Sequence, residues 1–419
     1  MTVDSGSLRS GALALPLLAK FAIGLVVIVI VPSLSRKVRL PAVVGLLLAG
    51  VLLGPHGIDV IGTQRPVADF FGEIGKLMLM FMAGMEIDLA TFRRVRNRSI
   101  VFGIVTTSLP LMLGTAVGFA FGYGALAAVV IGSLLASHTL LASSIVAKLG
   151  LTKLEPISVT YGATMFSDTS SLVVFAICAS TFQRGLAVGS LVLLLVEITL
   201  FIPFVLVGLS RAGAHVLRKV ERDESAYFGV MLAILAVAAT LAQVIQLPGI
   251  VGAFLSGLAL NAAVREKAAK KELEFIGNSL FIPIFFITTG FLIDPRALLH
   301  SVASDAALVG AIIGALVVGK YIAAELTGRV FGYSPNTRLT VWSLTLPQVA
   351  ATLAAALVAY GTFGQSHQRL LDARMLNVVL VLMLATSILG PVLTAHFAPK
   401  LREEEKPPAV EGDSMKAAA

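Results

Sequence analysis

The sequence predicts an all-α polytopic membrane protein, thirteen transmembrane helices in two inverted repeats with crossed discontinuous helices. Three observations predict it. Of the 419 residues, 57% are hydrophobic and 13% charged, against roughly 25% charged in a soluble domain, and mean hydropathy is +0.92. Apolar runs long enough to cross a hydrocarbon slab recur along the whole chain. Three short motifs also repeat in the same order at a spacing of 206 to 207 residues.

Each span is bounded by charges, glycine or proline. The first, 12–31, follows a short external N-terminus, 1–11, whose Asp4 and Arg9 lack the cationic start of a cleaved signal, so it is read as retained. The second, 41–54, is short; the third, 68–88, holds Glu73 and Lys76 one turn apart, a local pair. Glu86 and Asp88 beside four arginines read as a solvated helix end. The fourth, 99–122, carries glycines at 114, 118 and 122, a spacing that lets helices approach closely. The fifth, 125–147, is interrupted by Ser137, His138 and Thr139, and the sixth, 156–181, contains Asp168. The seventh, 187–210, stands between the halves as a linker, and its Glu197 is expected to face a partner subunit or lipid headgroups. The eighth, 225–245, and the ninth, 248–263, part at Gln246 to Gly249; the tenth covers 273–293. The eleventh, 298–328, holds Lys320, Glu325 and a second close-approach pair, Gly310 and Gly314. Thr345, Pro347 and Gln348 interrupt the twelfth, 339–360, and the thirteenth, 374–397, ends the transmembrane domain, 12–398. Residues 399–419, charged and poor in apolar side chains, are expected to be a disordered cytoplasmic tail.

The net charge of +8 is a topology signal rather than a nucleic-acid footprint. Loops after odd-numbered spans hold 19 lysines and arginines and the tail 4, whereas the N-terminus and the other loops hold 6, counting Arg374 at the start of the last span. By the positive-inside rule the N-terminus lies outside and the C-terminus in the cytoplasm, as in a prokaryotic inner membrane protein with the lipid bilayer as its partner. The only cysteine, Cys178, excludes an intramolecular disulfide and a cysteine metal site and reads as a packing residue. No cofactor and no enzymatic constellation is expected.

The repeats carry the functional reading. "LPAVVGLLLAGVLLG" at 40–54 and "LPGIVGAFLSGLALN" at 247–261 agree at seven of fifteen positions. "GMEID" at 84–88 then pairs with "GFLID" at 290–294, and "SHTL" at 137–140 with "SLTL" at 343–346. These pairs lie seven spans apart, and an odd separation reverses direction through the membrane, so the halves are inverted. Many secondary transporters are built this way, with sites at the midplane where broken helices meet. Pro347 removes a backbone donor, and freed backbone groups at that depth are tolerated only beside protein or a wet cavity. Breaks at equivalent places in both halves point to a crossed pair.

Asp168 has no charged neighbour in sequence between Glu155 and Arg184. An acid at that depth marks an ion or proton path, and one carboxylate can hold a proton or a monovalent cation but not both. Lys320 either pairs with Asp168 or replaces the cation as counter-charge when the site is empty. A lysine snorkelling to the cytoplasmic edge is the bland alternative. His138 either titrates near neutral pH or stays neutral and hydrogen-bonded. Three classes fit: a cation/proton antiporter, an ion-coupled symporter of an organic anion, and a gated cation channel.

The motifs "FMAGMEIDL" at 81–89, "SHTLLASSIVAKLGL" at 137–151, "GATMFSDTSSLVV" at 162–174, "PIFFITTGFLID" at 283–294 and "SLTLPQVAATLAAA" at 343–356, with Lys320, resemble the sodium/proton exchanger superfamily. The similarity, over about 12–397, is to the second monovalent cation:proton antiporter family, which includes potassium-efflux-type members. The resemblance implies a homodimer whose six-helix core, here 99–181 and 298–397, moves like an elevator while carrying sodium or potassium against protons. It implies Asp168 as the essential ion-binding acid, Ser167 beside it, Ser137, Thr139 and Thr345 in the crossed helices, and Lys320 as the basic core residue. Ser167 stands where many members have a second acid or an asparagine, so Lys320 points to an electrogenic cycle and Ser167 to an electroneutral one. No soluble regulatory domain, such as the nucleotide-binding domain of some potassium-efflux types, is expected.

Overall fold

The computed structural model describes residues 15–404, apart from 38–41, 61, 86–88, 153, 186–187, 221–222, 265–267 and 297–302. Glu86, Asp88 and most of the expected tail lie outside the described residues. In chain order the helices are α1 Leu17–Lys37, α2 Ala42–Leu53, α3 Arg65–Met85, α4 Leu89–Ala120, α5 Ala125–Ala136, α6 Ser143–Lys148 and α7 Glu155–Arg184. There follow α8 Val188–Pro203, α9 Ser210–Lys219, α10 Glu224–Val244, α11 Gly249–Val264, α12 Ala268–Ile276 and α13 Ile282–Gly290. The chain closes with α14 Ala306–Val330, α15 Pro335–Leu344, α16 Ala350–Gly361 and α17 Ala373–Glu404. Among the described residues, eight helical stretches are long and apolar enough to cross a membrane and four further apolar helices are shorter.

Both expected interruptions are present. The fifth predicted span is two pieces, α5 and α6, separated by Ser137–Ala142, and the twelfth is α15 and α16, separated by Thr345–Val349. The seventh span runs longer than its apolar stretch. A π turn at Phe204–Leu209 joins α8 to α9 and carries the helix to Lys219. That turn follows Pro203, which cannot supply the backbone hydrogen bond a regular turn requires.

Helix packing sorts these elements into two bodies. In one, α4 lies against α5, α7 and α14, and α17 lies against α15 and α16. In the other, α3 packs on α11 and α13, and α2 on α13. Lipid supplies no hydrophobic drive between helices, so close approach rests on small residues. At Gly50 a Cβ would collide with Ile287 O, and at Gly290 with Leu47 O, where α2 crosses α13. Where α3 crosses α11, a Cβ at Gly84 would meet Phe254 O and one at Gly257 would meet Phe81 O. The repeat spacing maps each crossing onto the other: 50 to 257, 47 to 254, 84 to 290 and 81 to 287.

In the first body Gly114 approaches Gly132 and Gly118 approaches Ala128, as expected for the fourth span. Gly310 and Gly314 do not behave this way: nothing lies within 4 Å of the Cβ either would carry. Spacing alone does not choose the face a helix buries, and α14 instead meets α4 through Gly319 and Pro110. Cys178 is buried and free, as a packing residue should be.

Candidate functional site

The site begins with the unfinished end of a helix. The last four carbonyls of an α-helix have no partner within it, and α5 ends deep in the protein at Ala136. Side chains from the other half of the chain take up these groups. Lys320 Nζ donates to Ala136 O at 2.7 Å and Gln348 Nε2 to Leu135 O at 3.4 Å and to Ser137 O at 2.5 Å, while Thr352 Oγ1 lies 3.5 Å from Leu134 O. Gln348 is itself held, its N–H donating to Thr386 Oγ1 at 3.0 Å and its Oε1 accepting from Thr352 at 2.5 Å. An ammonium at this end also meets the negative pole of the α5 dipole.

The breaks touch. Thr139 N–H donates to Pro347 O at 2.8 Å, joining the extended segment after α5 to the one after α15. One residue earlier, His138 N–H donates to Asp168 Oδ1 at 3.3 Å. Asp168 sits on α7 in line with Thr160 and Thr164, four residues apart along one helix face. Thr164 Oγ1 donates to Thr160 O at 2.9 Å and lies 2.8 Å from His138 Nε2. Ser167 Oγ donates to Thr164 O at 3.0 Å and lies 3.3 Å from His138 Nδ1.

Lys320 is 0% exposed, so the snorkelling alternative does not describe it. Nor does it sit in an ion pair with Asp168. Its donors reach Thr106 O at 3.0 Å, Ala136 O, and His138 Nδ1 at 3.4 Å. The basic group and the acid are therefore joined through one residue, His138, by ring and by amide.

The remaining sequence candidates divide. Ser137 takes part through its carbonyl, and Pro347 and Gln348 through the crossing and the cap. Thr345 is buried, but its hydroxyl donates to Trp342 O of its own helix at 2.9 Å. Thr164 belongs to the motif around Asp168, whereas Thr106, Thr160, Thr352 and Thr386 were not singled out by sequence. Their only signal is a hydroxyl in an otherwise apolar helix. Glu197 lies 2.5 Å from Arg184, which also donates to Ile245 O at 2.5 Å, so its charge has a partner within the protomer. Glu73 and Lys76 pair at 2.6 Å as expected. Glu325 bridges Arg329 at 2.7 Å and Arg338 at 3.3 Å.

Residues 24–398 match the family described as sodium/hydrogen exchanger, transmembrane. The chain belongs to that family. It is thus a membrane transporter of the sodium/hydrogen exchanger family and not an enzyme. Relatives include the Na(+)/H(+) antiporter NhaS5 of Synechocystis, 43% identical over 384 residues, which cover 92% of this chain and 55% of the relative. The chain therefore spans about half of that relative's length. A probable Na(+)/H(+) antiporter 3 of Methanocaldococcus jannaschii is 26% identical over 92% of this chain and 98% of its own. Among solved structures, the sodium proton antiporter MjNhaP1 of Methanocaldococcus jannaschii superposes with a TM-score of 0.68 at 16% identity, covering 92% of this chain and 98% of that one. The chain thus shares the MjNhaP1 fold.

Proposed function

We propose that the protein is a secondary antiporter that exchanges protons for sodium or potassium, with Asp168 alternately protonated and cation-bound. The observation that carries this reading is the meeting of Asp168 with both helix breaks, through His138 N–H and, one residue on, the Thr139–Pro347 bond. Asp168 is the acid of the site, Ser167, Thr139, Ser137 and Thr345 supply neutral oxygens around the crossing, and Lys320 is the compensating charge. Loaded with a proton or a monovalent cation the carboxylate is near neutral and can cross; empty, it is charged and costly to move through a low dielectric. The relatives named as Na(+)/H(+) antiporters support the same exchange here.

The matched glycine crossings support two inverted halves, and the packing of α5, α7 and α14 around α4 supports a distinct ion-carrying body. That body would move, elevator fashion, against one formed by α2, α3 and α10–α13 in a homodimer. Thirteen spans, with the N-terminus outside and the C-terminus cytoplasmic, follow from the basic loops. An organic-anion symporter would need Lys320 free to meet the anion, and its three protons already have acceptors.

The test is purified protein in liposomes with an internal pH dye, challenged with sodium, potassium and lithium, with and without an imposed voltage. Wild type is expected to move protons against sodium or potassium, and Asp168→Asn to abolish that movement. Full exchange by Asp168→Asn would overturn the reading.

A further inference from the structure

We propose that His138 is a positioning residue of the exchange site, whose ring holds the Lys320 ammonium away from Asp168 so that the carboxylate stays open to the transported cation. This deepens, and rests on, the antiport reading above.

Hydrogen-bond arithmetic assigns the ring. Thr164 has one hydroxyl proton, and it goes to Thr160 O at 2.9 Å. At its 2.8 Å contact with His138 Nε2 the threonine can only accept, so the imidazole carries its proton on Nε2. Nδ1 is then a bare acceptor, facing Lys320 Nζ at 3.4 Å and Ser167 Oγ at 3.3 Å. The Ser167 proton is directed to Thr164 O at 3.0 Å, which leaves Nδ1 to the lysine. Two of the ammonium protons go to Thr106 O and Ala136 O, and the ring takes the third. The charged groups facing His138 are Asp168 from α7 and Lys320 from α14; α7 adds the hydroxyls of Thr164 and Ser167.

Function requires this separation. A lysine free to turn onto Asp168 would occupy the seat a cation must enter, and the two cations would compete. An ammonium with all three protons engaged has no such need, because each charge-assisted bond already offsets part of its lost hydration. The holder must accept without a charge of its own, or it would neutralise the lysine. A neutral imidazole does this, and a short amide would; an aliphatic side chain would not. At the equivalent place in the second half stands Leu344, and the final span, 374–397, contains no acid. The histidine therefore accompanies the half that carries the aspartate.

The test measures initial rates of cation-driven proton movement in liposomes against sodium or potassium concentration, for His138→Leu and His138→Asn, each with Lys320 and with Lys320→Gln. The Oδ1 of asparagine falls near the place of Nδ1. His138→Leu is expected to raise the apparent KM for the cation about tenfold with kcat within about twofold, and His138→Asn to stay near wild type. With Lys320→Gln, His138→Leu should raise KM no further, because the competing ammonium is gone. Cation-induced increase of Tm in detergent reads the same affinities where transport is slow. Should His138→Leu not survive purification, His138→Gln replaces it, since its amide reaches toward the Nε2 position and leaves the lysine unserved. An unchanged KM in the leucine variant, equal impairment by asparagine, or a leucine effect that persists without the lysine overturns the proposal. Wild type that exchanges no cation counts against the antiport reading as well, whereas active wild type with an indifferent leucine variant counts against the role of His138 alone.

Discussion

Gln348 closes the α5 helix from the opposite half of the chain, and the cost of removing it measures how firmly the two breaks are held. Gln348→Ala strips the Ser137 and Leu135 carbonyls of their donor, a loss of about 1 to 3 kcal/mol for buried groups. The expected result is a lower Tm in detergent. Gln348→Glu should do worse, since a carboxylate brings no donor and faces carbonyl oxygens. At one end of the same body, Arg98 meets Glu155, with Tyr333 OH 3.4 Å from that acid. Burial pushes the Tyr333 phenol up to about 12, against the opposing pull of Arg98, so it stays protonated over the working range. Tyr333→Phe should therefore leave the pH profile of exchange unshifted, which a dye assay between about pH 6 and 9 checks. Sequence made Asp168 and Lys320 legible because a lone charge in an apolar run has few explanations. It did not reveal that Lys320 binds carbonyls and a ring instead of the acid, since those partners, Thr106 O, Ala136 O and His138, lie more than 180 residues away.

At the scale of elements, the crossings of α2 with α13 and of α3 with α11 put backbone against backbone with no room for a methyl group. Gly257→Ala forces a Cβ into Phe81 O, a contact that backbone rather than a flexible side chain must relieve. Overpacking of this kind costs about 1 to 3 kcal/mol or more. We expect Gly257→Ala to lower Tm clearly, and Gly310→Ala, which meets nothing, to leave it unchanged or slightly raised. Spacing marked Gly310 for close approach and left Gly257 unmarked. Only the crossing separates them, because a four-residue spacing announces that a helix can be approached and not that another helix comes. The breaks were more legible: a proline and clustered hydroxyls within an apolar span have a local backbone cause, whereas helix ends such as Lys219 depend on how a π turn absorbs Pro203.

Across the whole molecule, Arg184 at the end of α7 links the body that holds Asp168 to elements outside it, reaching Glu197 on α8 and the carbonyl of Ile245 beyond α10. Both partners are largely buried, with side-chain exposures of 11% and 23%. Removing one member of such a pair strands the other, while replacing both by apolar groups is far milder. Arg184→Met and Glu197→Leu should each depress Tm, and the double variant should lose less than their sum. Strict additivity would mean that the pair is not coupled.

The glycine crossings have a last consequence. Each is the other with the roles of its two helices exchanged, so a single contact surface, presented twice, braces both halves. A half-length polypeptide inserted into a bilayer in both directions would already possess the complementary patches needed to clasp a copy of itself. Duplication and fusion would then need only to specialise one side, adding an acid, a lysine and a ring to a frame that was symmetric from the outset.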